Sequence, residues 1–477
     1  MNRARLTVGT LALLLAACGT PEFQRPAVDM PSTWRTVSTT SETLADRPWG
    51  QLFRTDELET LINAALVENS DLRIAASRVE LLRAQYGIQR SYSFPGLAGD
   101  ASYNRTRQPT AASAVENRTT ETSSIGLAMP TWEIDLWGRL ASLNEAAYRN
   151  VLASEETRRA FEISLIAQVT LVYLDLMVTD AQLDIARRTY ATRRDSLRLV
   201  KLRFDNGVVS AVDVHQAESL LAGAETTIAE LERRQAQGEN ALSVLIGRNP
   251  GPIKRQTRLS DFVLPPQLPA GLPAQLIERR PDVRAAEQTL AASAANVDAA
   301  RKAYLPAVSL TAFLGFISPQ GSALFESSRQ ASSLTPAVTL PIFTAGRLEG
   351  NVDAALAQQQ IALEQYRQSI QVALREVEDA LVAYQWLRQQ RDSQDRVVAA
   401  DTRRLRLTQS RYRGGVSSYF EVLDAERESF SSELTLVQTT RDVYASVVQL
   451  YRALGGGWTP ASGESKVSQQ APAATTP

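Results

Sequence analysis

The chain has 477 residues, a net charge of −1, one cysteine and one histidine. The balanced charge gives no electrostatic basis for a nucleic-acid partner, and a single cysteine excludes a disulfide framework within the chain. A Cys/His metal site and a Cys–His catalytic pair are also disfavoured. The sequence contains no glycine-rich phosphate loop, no nucleophile elbow and no metal-ligand spacing, so we expect neither a metal nor an enzyme.

The N-terminus has the pattern of a bacterial export signal. Two arginines precede an apolar run, and the sequence LAAC ends at Cys18. This predicts a signal peptide over 1–17, and it resembles a lipobox, in which Cys18 is lipidated and begins a lipidated segment over 18–55. By the same resemblance, Gly19 favours the outer membrane. An ordinary signal peptide with an incidental cysteine is the alternative.

No run of 18 or more apolar residues follows Cys18, so the sequence predicts no transmembrane helix. If the chain crosses a membrane, it must do so with β-strands that close into a barrel, because lipid cannot satisfy an open sheet edge.

Two segments alternate apolar and polar side chains with the period of a β-strand. They lie at about 97–136 and 307–343, and each contains two alternating runs separated by a polar loop. Strands of about ten residues with this period are typical of hairpins in a membrane barrel. A surface hairpin on a soluble helical protein is the alternative.

Long stretches without glycine or proline separate these segments. They cover 139–206, 351–413 and 416–454. Apolar residues within them recur at steps of three and four, which predicts helices that pair as coiled coils. An uninterrupted helix over the first stretch would be roughly 100 Å long, at about 1.5 Å per residue.

The second half of the chain repeats the first. RFDNGVVSAVDVHQAESLLA at 203–222 aligns without a gap with RYRGGVSSYFEVLDAERESF at 411–430, 208 positions later. Each half therefore reads as helix, β-hairpin, long helix, turn and helix. Four strands per chain are too few to close a spanning barrel, which needs about eight, so the protein must form oligomers to cross a membrane.

The repeat sets the expected boundaries along the chain. In order, we predict a first repeat over 56–253 with its turn near 205–210, a linker over 254–273, a second repeat over 274–456 with its turn near 413–418, and a disordered tail over 457–477.

Several motifs occur in a fixed order along the chain. They are Trp49, Phe53, Asp56, Leu58, Leu61 and Asn69 near the start, RPDVRAAE at 280–287, Leu305-Pro306, Pro341-Ile342-Phe343 before Gly346-Arg347, and LGGGW at 454–458. Together they resemble outer-membrane efflux proteins of the TolC type, in the lipoprotein branch that includes OprM and the NodT-like proteins.

This resemblance implies an α+β membrane protein that forms a homotrimer. Four strands per chain would make a 12-stranded transmembrane β-barrel, continuous with a long α-helical barrel in the periplasm of a Gram-negative bacterium. It implies an exit duct for a tripartite efflux system, such as those of multidrug resistance, with a periplasmic adaptor and an inner-membrane RND-type pump as partners. The lipid on Cys18 would be the only added group. The alternatives are a type I secretion duct of the same fold and a periplasmic coiled-coil adaptor or scaffold lipoprotein.

The two turns are candidates for adaptor docking, although tight turns also serve as simple connectors. Their residues are Asn206, Gly207 and Val208 in the first half, and Gly414, Gly415 and Val416 in the second. Glycine accommodates the backbone reversal, and Ser210 and Ser418 are suited to cap the returning helices.

The helix after the second turn carries a candidate gate. Phe420, Asp424 and Arg427 fall on one helical face at i, i+4 and i+7. The resemblance implies that these residues and Tyr412 form the periplasmic constriction, whereas an exposed ion pair worth a few tenths of a kcal/mol is the alternative. His215 is expected to be packed or partly exposed rather than to act as a ligand or base.

Overall fold

The computed structural model describes residues 23–35, 43–46, 55–108, 118–261 and 269–456. Cys18, the predicted signal peptide and the predicted tail lie outside the described residues, as do parts of the predicted lipidated segment and linker.

The described chain consists mainly of long helices, with one sheet. In chain order the elements are α1 (Asp56–Glu68), α2 (Ser70–Ser91), β1 (Ala98–Gln108), β2 (Arg118–Ile134), α3 (Arg139–Asp205), α4 (Ala211–Leu245), α5 (Gln275–Arg279), α6 (Pro281–Lys302), β3 (Ala307–Ser318), β4 (Gln330–Thr339), α7 (Arg347–Arg413) and α8 (Tyr419–Ala453).

The two β-hairpins lie side by side in one antiparallel sheet of order β1-β2-β3-β4. β2 has 17 residues, longer than the expected ten, and its pairing with β3 shifts between Met129 and Trp132. Pro130 lies at this shift, where a residue without an N–H group is tolerated. β4 ends at Thr339, so Leu340 and Ile342, which the alternation had placed in the strand, lie beyond it.

Strand pairing sorts the alternating side chains onto two different faces. Leu127 pairs with Gly99 and Leu314, and neighbouring positions on the same face are mainly apolar. The opposite face is mainly polar, and there Ser102 and Ser124 approach to 2.8 Å between their hydroxyl oxygens. The sheet is therefore amphipathic, as the alternation predicted.

The long helices have equal lengths in the two halves, because both halves contain the same pattern. α3 and α7 have 67 residues each, and α4 and α8 have 35 each. Among the described residues, α3 is the one helix long and apolar enough to cross a membrane by length and composition. However, 61% of its apolar window is buried inside the protein, as in the core helix of a folded protein.

Glycines with positive φ recur at matching places in the two halves. Gly138, Gly207 and Gly247 have φ of 74°, 72° and 72°. Their counterparts 208 positions later, Gly346, Gly415 and Gly455, have φ of 80°, 74° and 74°. Other residues rarely adopt this region of φ, so the repeat preserves the backbone conformation at its turns.

The described residues pack as two compact units. One contains the sheet and the helical segments that adjoin it, 77–155 and 285–367. The other contains α1, α4, α5 and α8, with the segments 156–205 and 368–413 of α3 and α7.

Arg280, the first residue of the RPDVRAAE motif, has a structural role. It is buried in the second unit, donates to the carbonyl oxygen of Ala453 at 2.8 Å, and forms ion pairs with Asp282 and Glu376 at 2.6 and 2.8 Å. A buried charge is costly unless it is paired and hydrogen-bonded. These contacts satisfy the Arg280 guanidinium, so the motif has a role in the fold and not in a reaction.

Candidate site at the two helix turns

The first turn ends α3 with a hydrogen-bonded reversal centred on Gly207. The Gly207 amide donates to the Phe204 carbonyl at 2.8 Å, and the Val208 amide donates to the Arg203 carbonyl at 2.9 Å. These are the two bonds of a Schellman motif, which satisfies carbonyls left free at a helix end. Ser210 then caps α4: its hydroxyl accepts from the Asp213 amide, and the Asp213 carboxylate accepts from the Ser210 amide.

The second turn has the same backbone hydrogen bonds but lacks the side-chain cap. The Gly415 amide donates to the Tyr412 carbonyl at 3.1 Å, and the Val416 amide donates to the Arg411 carbonyl at 2.9 Å. Ser418 precedes α8 with an extended backbone, but its side chain makes no capping hydrogen bond. The predicted cap is therefore correct at the first turn and wrong at the second.

Buried side chains pack the two helical hairpins against each other just before and after the turns. We call this group the tip cluster; it comprises Val200, Val214, Ala217, Tyr412, Tyr419, Val422 and Leu423. The rings of Tyr412 and Tyr419 lie 5.3 Å apart, and the Arg203 guanidinium lies 4.5 Å above the Tyr412 ring. Tyr412 is thus buried between the hairpins, and it does not share the exposed face of Phe420 and Arg427.

Both turns expose apolar side chains. Val208 and Val416 are 68% and 70% exposed at equivalent positions, and Phe420, one residue into α8, is 65% exposed. An exposed apolar side chain is ordinary by itself, but here exposed valines recur at equivalent positions of the two turns.

Asp424 lies between two arginines of its own chain. One Arg427 nitrogen is 2.9 Å from Asp424 Oδ1, and Arg404 of α7 forms an ion pair with the other carboxylate oxygen. We call Arg404, Asp424 and Arg427 the charged triad. Sequence reasoning missed Arg404, although it lies as many residues before Gly414 as Asp424 lies after it, which places the two opposite each other in an antiparallel helix pair.

The first half lacks this triad, because Ser196, Gln216 and Ser219 occupy the equivalent positions. It has a different exposed pair instead, in which Lys201 of α3 lies 2.8 Å from Glu218 of α4. Hydrogen bonds from Lys201 and then from His215 hold the pKa of the Glu218 carboxyl below its usual value.

His215 lies on the surface of α4. Its Nδ1 atom is 3.1 Å from Glu218, and its side chain is 78% exposed. The expectation of a packed or partly exposed histidine underestimated this exposure, since Leu423 at the equivalent position is buried. Across the described parts of the chain, no group of three or more His, Cys, Asp or Glu side chains is placed to hold a metal ion.

Gly415→Val is expected to destabilise the second turn by at least about 1–2 kcal/mol, the usual cost of a left-handed backbone for a residue with a Cβ atom. The added Cβ would meet no atom within 4 Å, so the effect would come from φ alone. Gly414→Ala is the matched control, because its Cβ would lie 3.5 Å from the nearest atom and its φ is not positive. Hydrogen exchange of 411–420 would measure the difference, and equal protection in both variants would contradict it.

Comparison with known proteins gives a consistent family. The profile of the outer membrane efflux protein family matches residues 61–248 and 272–456. The chain is 35% identical to the probable efflux pump outer membrane protein TtgC of Pseudomonas putida, covering 99% of each chain. It is 36% identical to the cation efflux system protein CusC of Escherichia coli, covering 96% of this chain and 100% of CusC.

A solved structure shares the architecture over nearly the whole chain. The crystal structure of the open state of the MtrE outer membrane channel of Neisseria gonorrhoeae superposes with a TM-score of 0.83 at 33% identity. The match covers 92% of this chain and 98% of MtrE.

Proposed function

Because the chain belongs to the outer membrane efflux protein family, we propose that it is the outer-membrane exit duct of a tripartite efflux system. Three copies form the duct, which receives substrate from an inner-membrane pump through a periplasmic adaptor. Its function is passive transport rather than catalysis. The pairing with an RND-type pump rests on the resemblance described above.

The amphipathic four-stranded sheet is the observation that carries this proposal. It has an apolar face, a polar face, and an outer edge on each of β1 and β4 that pairs with no described strand. Backbone groups on such edges cannot remain unpaired in lipid. Joining β4 of one copy to β1 of the next removes both edges, and three copies give twelve strands.

The exposed face of α2, the helix that leads into β1, supports the same assembly. One side of α2 packs on α3, where the rings of Tyr86 and Tyr148 are 5.7 Å apart. The other side exposes Leu81, Ile88 and Tyr92, which are 56%, 59% and 58% exposed. Before the strands the two halves align at an offset of 211, with Asp71-Leu72 matching Asp282-Val283. At this offset the equivalents of Leu81 and Ile88 in α6 are the buried Ala292 and Ala299. A second copy of the chain would cover this apolar face, since α2 continues into an unpaired strand.

The decisive experiment is reconstitution of the purified protein. We expect a trimeric mass in detergent and ion conductance in planar bilayers. A soluble monomer without conductance would contradict the duct and favour an adaptor or scaffold lipoprotein, while co-purification with a protein-secretion pump instead of an efflux pump would favour a type I secretion duct.

The lipid is proposed to anchor the duct without building it. Cys18→Ser, exported by a signal peptide that needs no lipidation, is expected to form trimers in the same yield as the natural chain. The physical reason is that the strands and α2, which would form the contacts between copies, do not include Cys18. Native mass measurement of both proteins checks this, and monomers from the exported variant would show that the anchor is needed for assembly.

We propose that the two turns dock the adaptor. Their matching exposed valines, Val208 and Val416, would supply apolar contacts, and the Schellman backbone would hold them at a fixed angle. Loss of adaptor co-purification on Val416→Asp, with trimer yield unchanged, would support this role, and retained co-purification would contradict it.

A further inference from the structure

Glu426 is a buried carboxyl at the junction of three helices. It lies on α8, one turn after Val422, and is only 5% exposed. Its Oε1 atom is 3.4 Å from the Gln409 amide nitrogen on α7 and 3.5 Å from the Ser196 hydroxyl on α3. Glu426 therefore contacts both its own helical hairpin and the other one, through two long hydrogen bonds.

Part of this junction is open space with unsatisfied polar atoms. A cavity of about 60 Å³ is lined by Glu426, Gln409, Ser196, Tyr412 and Tyr419, with apolar side chains around them. Within the described chain, Glu426 Oε2 and the Tyr412 hydroxyl are buried without a hydrogen-bond partner. A buried carboxylate oxygen without a donor is costly, whereas a protonated carboxyl can donate to a neighbouring oxygen or to water.

The two halves of the repeat differ in the surroundings of this glutamate. The equivalent of Glu426 in the first half is Glu218, which is exposed and lies 2.8 Å from Lys201. The equivalent of Lys201 in the second half is Gln409. The two halves therefore share the glutamate but differ in its surroundings: its partner is a cationic lysine in the first half, whereas in the second half the glutamate is buried beside a neutral amide.

The charged groups around Glu426 do not restore this partner. The charge of Arg193 on α3 acts on Glu426, but the Arg193 guanidinium donates to the Leu220 carbonyl at 2.8 Å and lies 5.0 Å from the centre of the Phe430 ring. Burial lowers the pKa of Arg193. On α4, Asp213 acts on Tyr419, and on α7 Arg413 lines the cavity.

Burial raises the pKa of the Glu426 carboxyl, and the Gln409 hydrogen bond, the Arg193 charge and the Ser196 hydrogen bond lower it by less. Because the pKa of Glu426 is raised, the stability of the packed junction depends on pH. The packed junction binds the proton more strongly than an opened one, so its extra stability is complete below the ordinary glutamate pKa and is lost as pH rises through the raised pKa.

We propose that Glu426 is a proton-binding site that locks the two helical hairpins together when protonated. Separation of the hairpins removes Ser196 from Glu426 and opens the cavity to solvent. Ionisation of Glu426 therefore favours the separated arrangement, in which water surrounds the carboxylate. The effect on conductance rests on the proposed duct, whereas the proton site itself does not.

Conductance as a function of pH tests the effect. We expect the resting conductance of the natural protein in planar bilayers to rise with pH, as the open-to-closed ratio changes about tenfold per copy for each unit of pKa difference between the two arrangements. Glu426→Gln should stay at the low, acid level throughout. Gln409→Lys restores the first-half pair, keeps Glu426 ionised, and should move the rise to lower pH. Glu218→Gln is the matched control and should keep the natural profile.

Infrared difference spectroscopy on the detergent-solubilised protein gives a second readout. We expect a protonated-carboxyl band that disappears as pH rises and that is absent from Glu426→Gln. A band unchanged by Glu426→Gln, or a conducting variant that keeps the natural pH profile, would overturn the proposal. If neither protein conducts, the proposed duct fails, and the band alone still decides whether Glu426 binds the proton.

Discussion

Asp424→Ala is expected to raise the resting conductance of the reconstituted protein at least about tenfold. In each chain the substitution leaves Arg404 and Arg427 without their shared carboxylate, so two attractions are replaced by one repulsion. Partly exposed pairs contribute about 0.2–1 kcal/mol each. Two pairs in each of three copies amount to about 1.2–6 kcal/mol, and a tenfold change in the ratio of open to closed states requires about 1.4 kcal/mol.

Arg427→Ala is the informative comparison, because it leaves the Arg404–Asp424 pair in place. We expect a smaller rise in conductance than for Asp424→Ala, and a double variant that resembles Asp424→Ala alone. High salt should reduce all of these differences, since the triad is partly exposed. Equal conductance in all variants and the natural protein would show that the charged triad is only a surface ion pair.

Gly126→Ala is expected to prevent most of the protein from assembling. Gly126 of β2 pairs directly with Gly315 of β3, at the junction between the two hairpins. An added Cβ would lie 2.5 Å from the Leu314 carbonyl oxygen, 2.7 Å from Gly315 Cα and 2.9 Å from the Phe313 ring. Two of these are backbone atoms, which cannot move without separating the strands. Overpacking of this kind costs about 1–3 kcal/mol per copy.

Gly321→Ala provides the control for this change. It lies in the connection between β3 and β4, and its Cβ would be an ordinary 3.6 Å from the Ser123 hydroxyl. Trimer yield and thermal midpoint in detergent should fall for Gly126→Ala and stay unchanged for Gly321→Ala. Equal yields for both would mean that the β2–β3 junction adapts to the extra atom.

The order of helices and strands could be predicted because it depends on the period of the apolar residues and on the positions of glycine and proline. The absence of glycine and proline located α3 and α7, and strict alternation located the strands. Strand ends were harder, since Leu340 and Ile342 continue the alternation after pairing with β3 has stopped. The alternation of apolar and polar residues predicts which face of the sheet a residue would occupy. It does not predict where pairing with the neighbouring strand ends.

The candidate site could be predicted only in part. Spacing along α8 placed Asp424 and Arg427 on one helical face, and the family resemblance marked them as gate candidates. Arg404 was missed because it comes from the antiparallel helix, where its equal distance from Gly414 was the available signal. The burial of Tyr412 could not be predicted, because it depends on Val200 and Val214 of the other hairpin. Contacts with side chains of the other hairpin can be identified only when the packing of the four helices is known.

The matching glycine turns have a consequence for stoichiometry. In a trimer, the turns at Gly207 and Gly415 would supply six loops with one backbone shape, and the backbone ring would be pseudo-sixfold. Side chains break this equivalence, since only the loops of the second half adjoin the charged triad. In such a trimer, a partner that contacts the valines and the backbone would therefore find six equivalent sites, whereas one that recognises charge would find three.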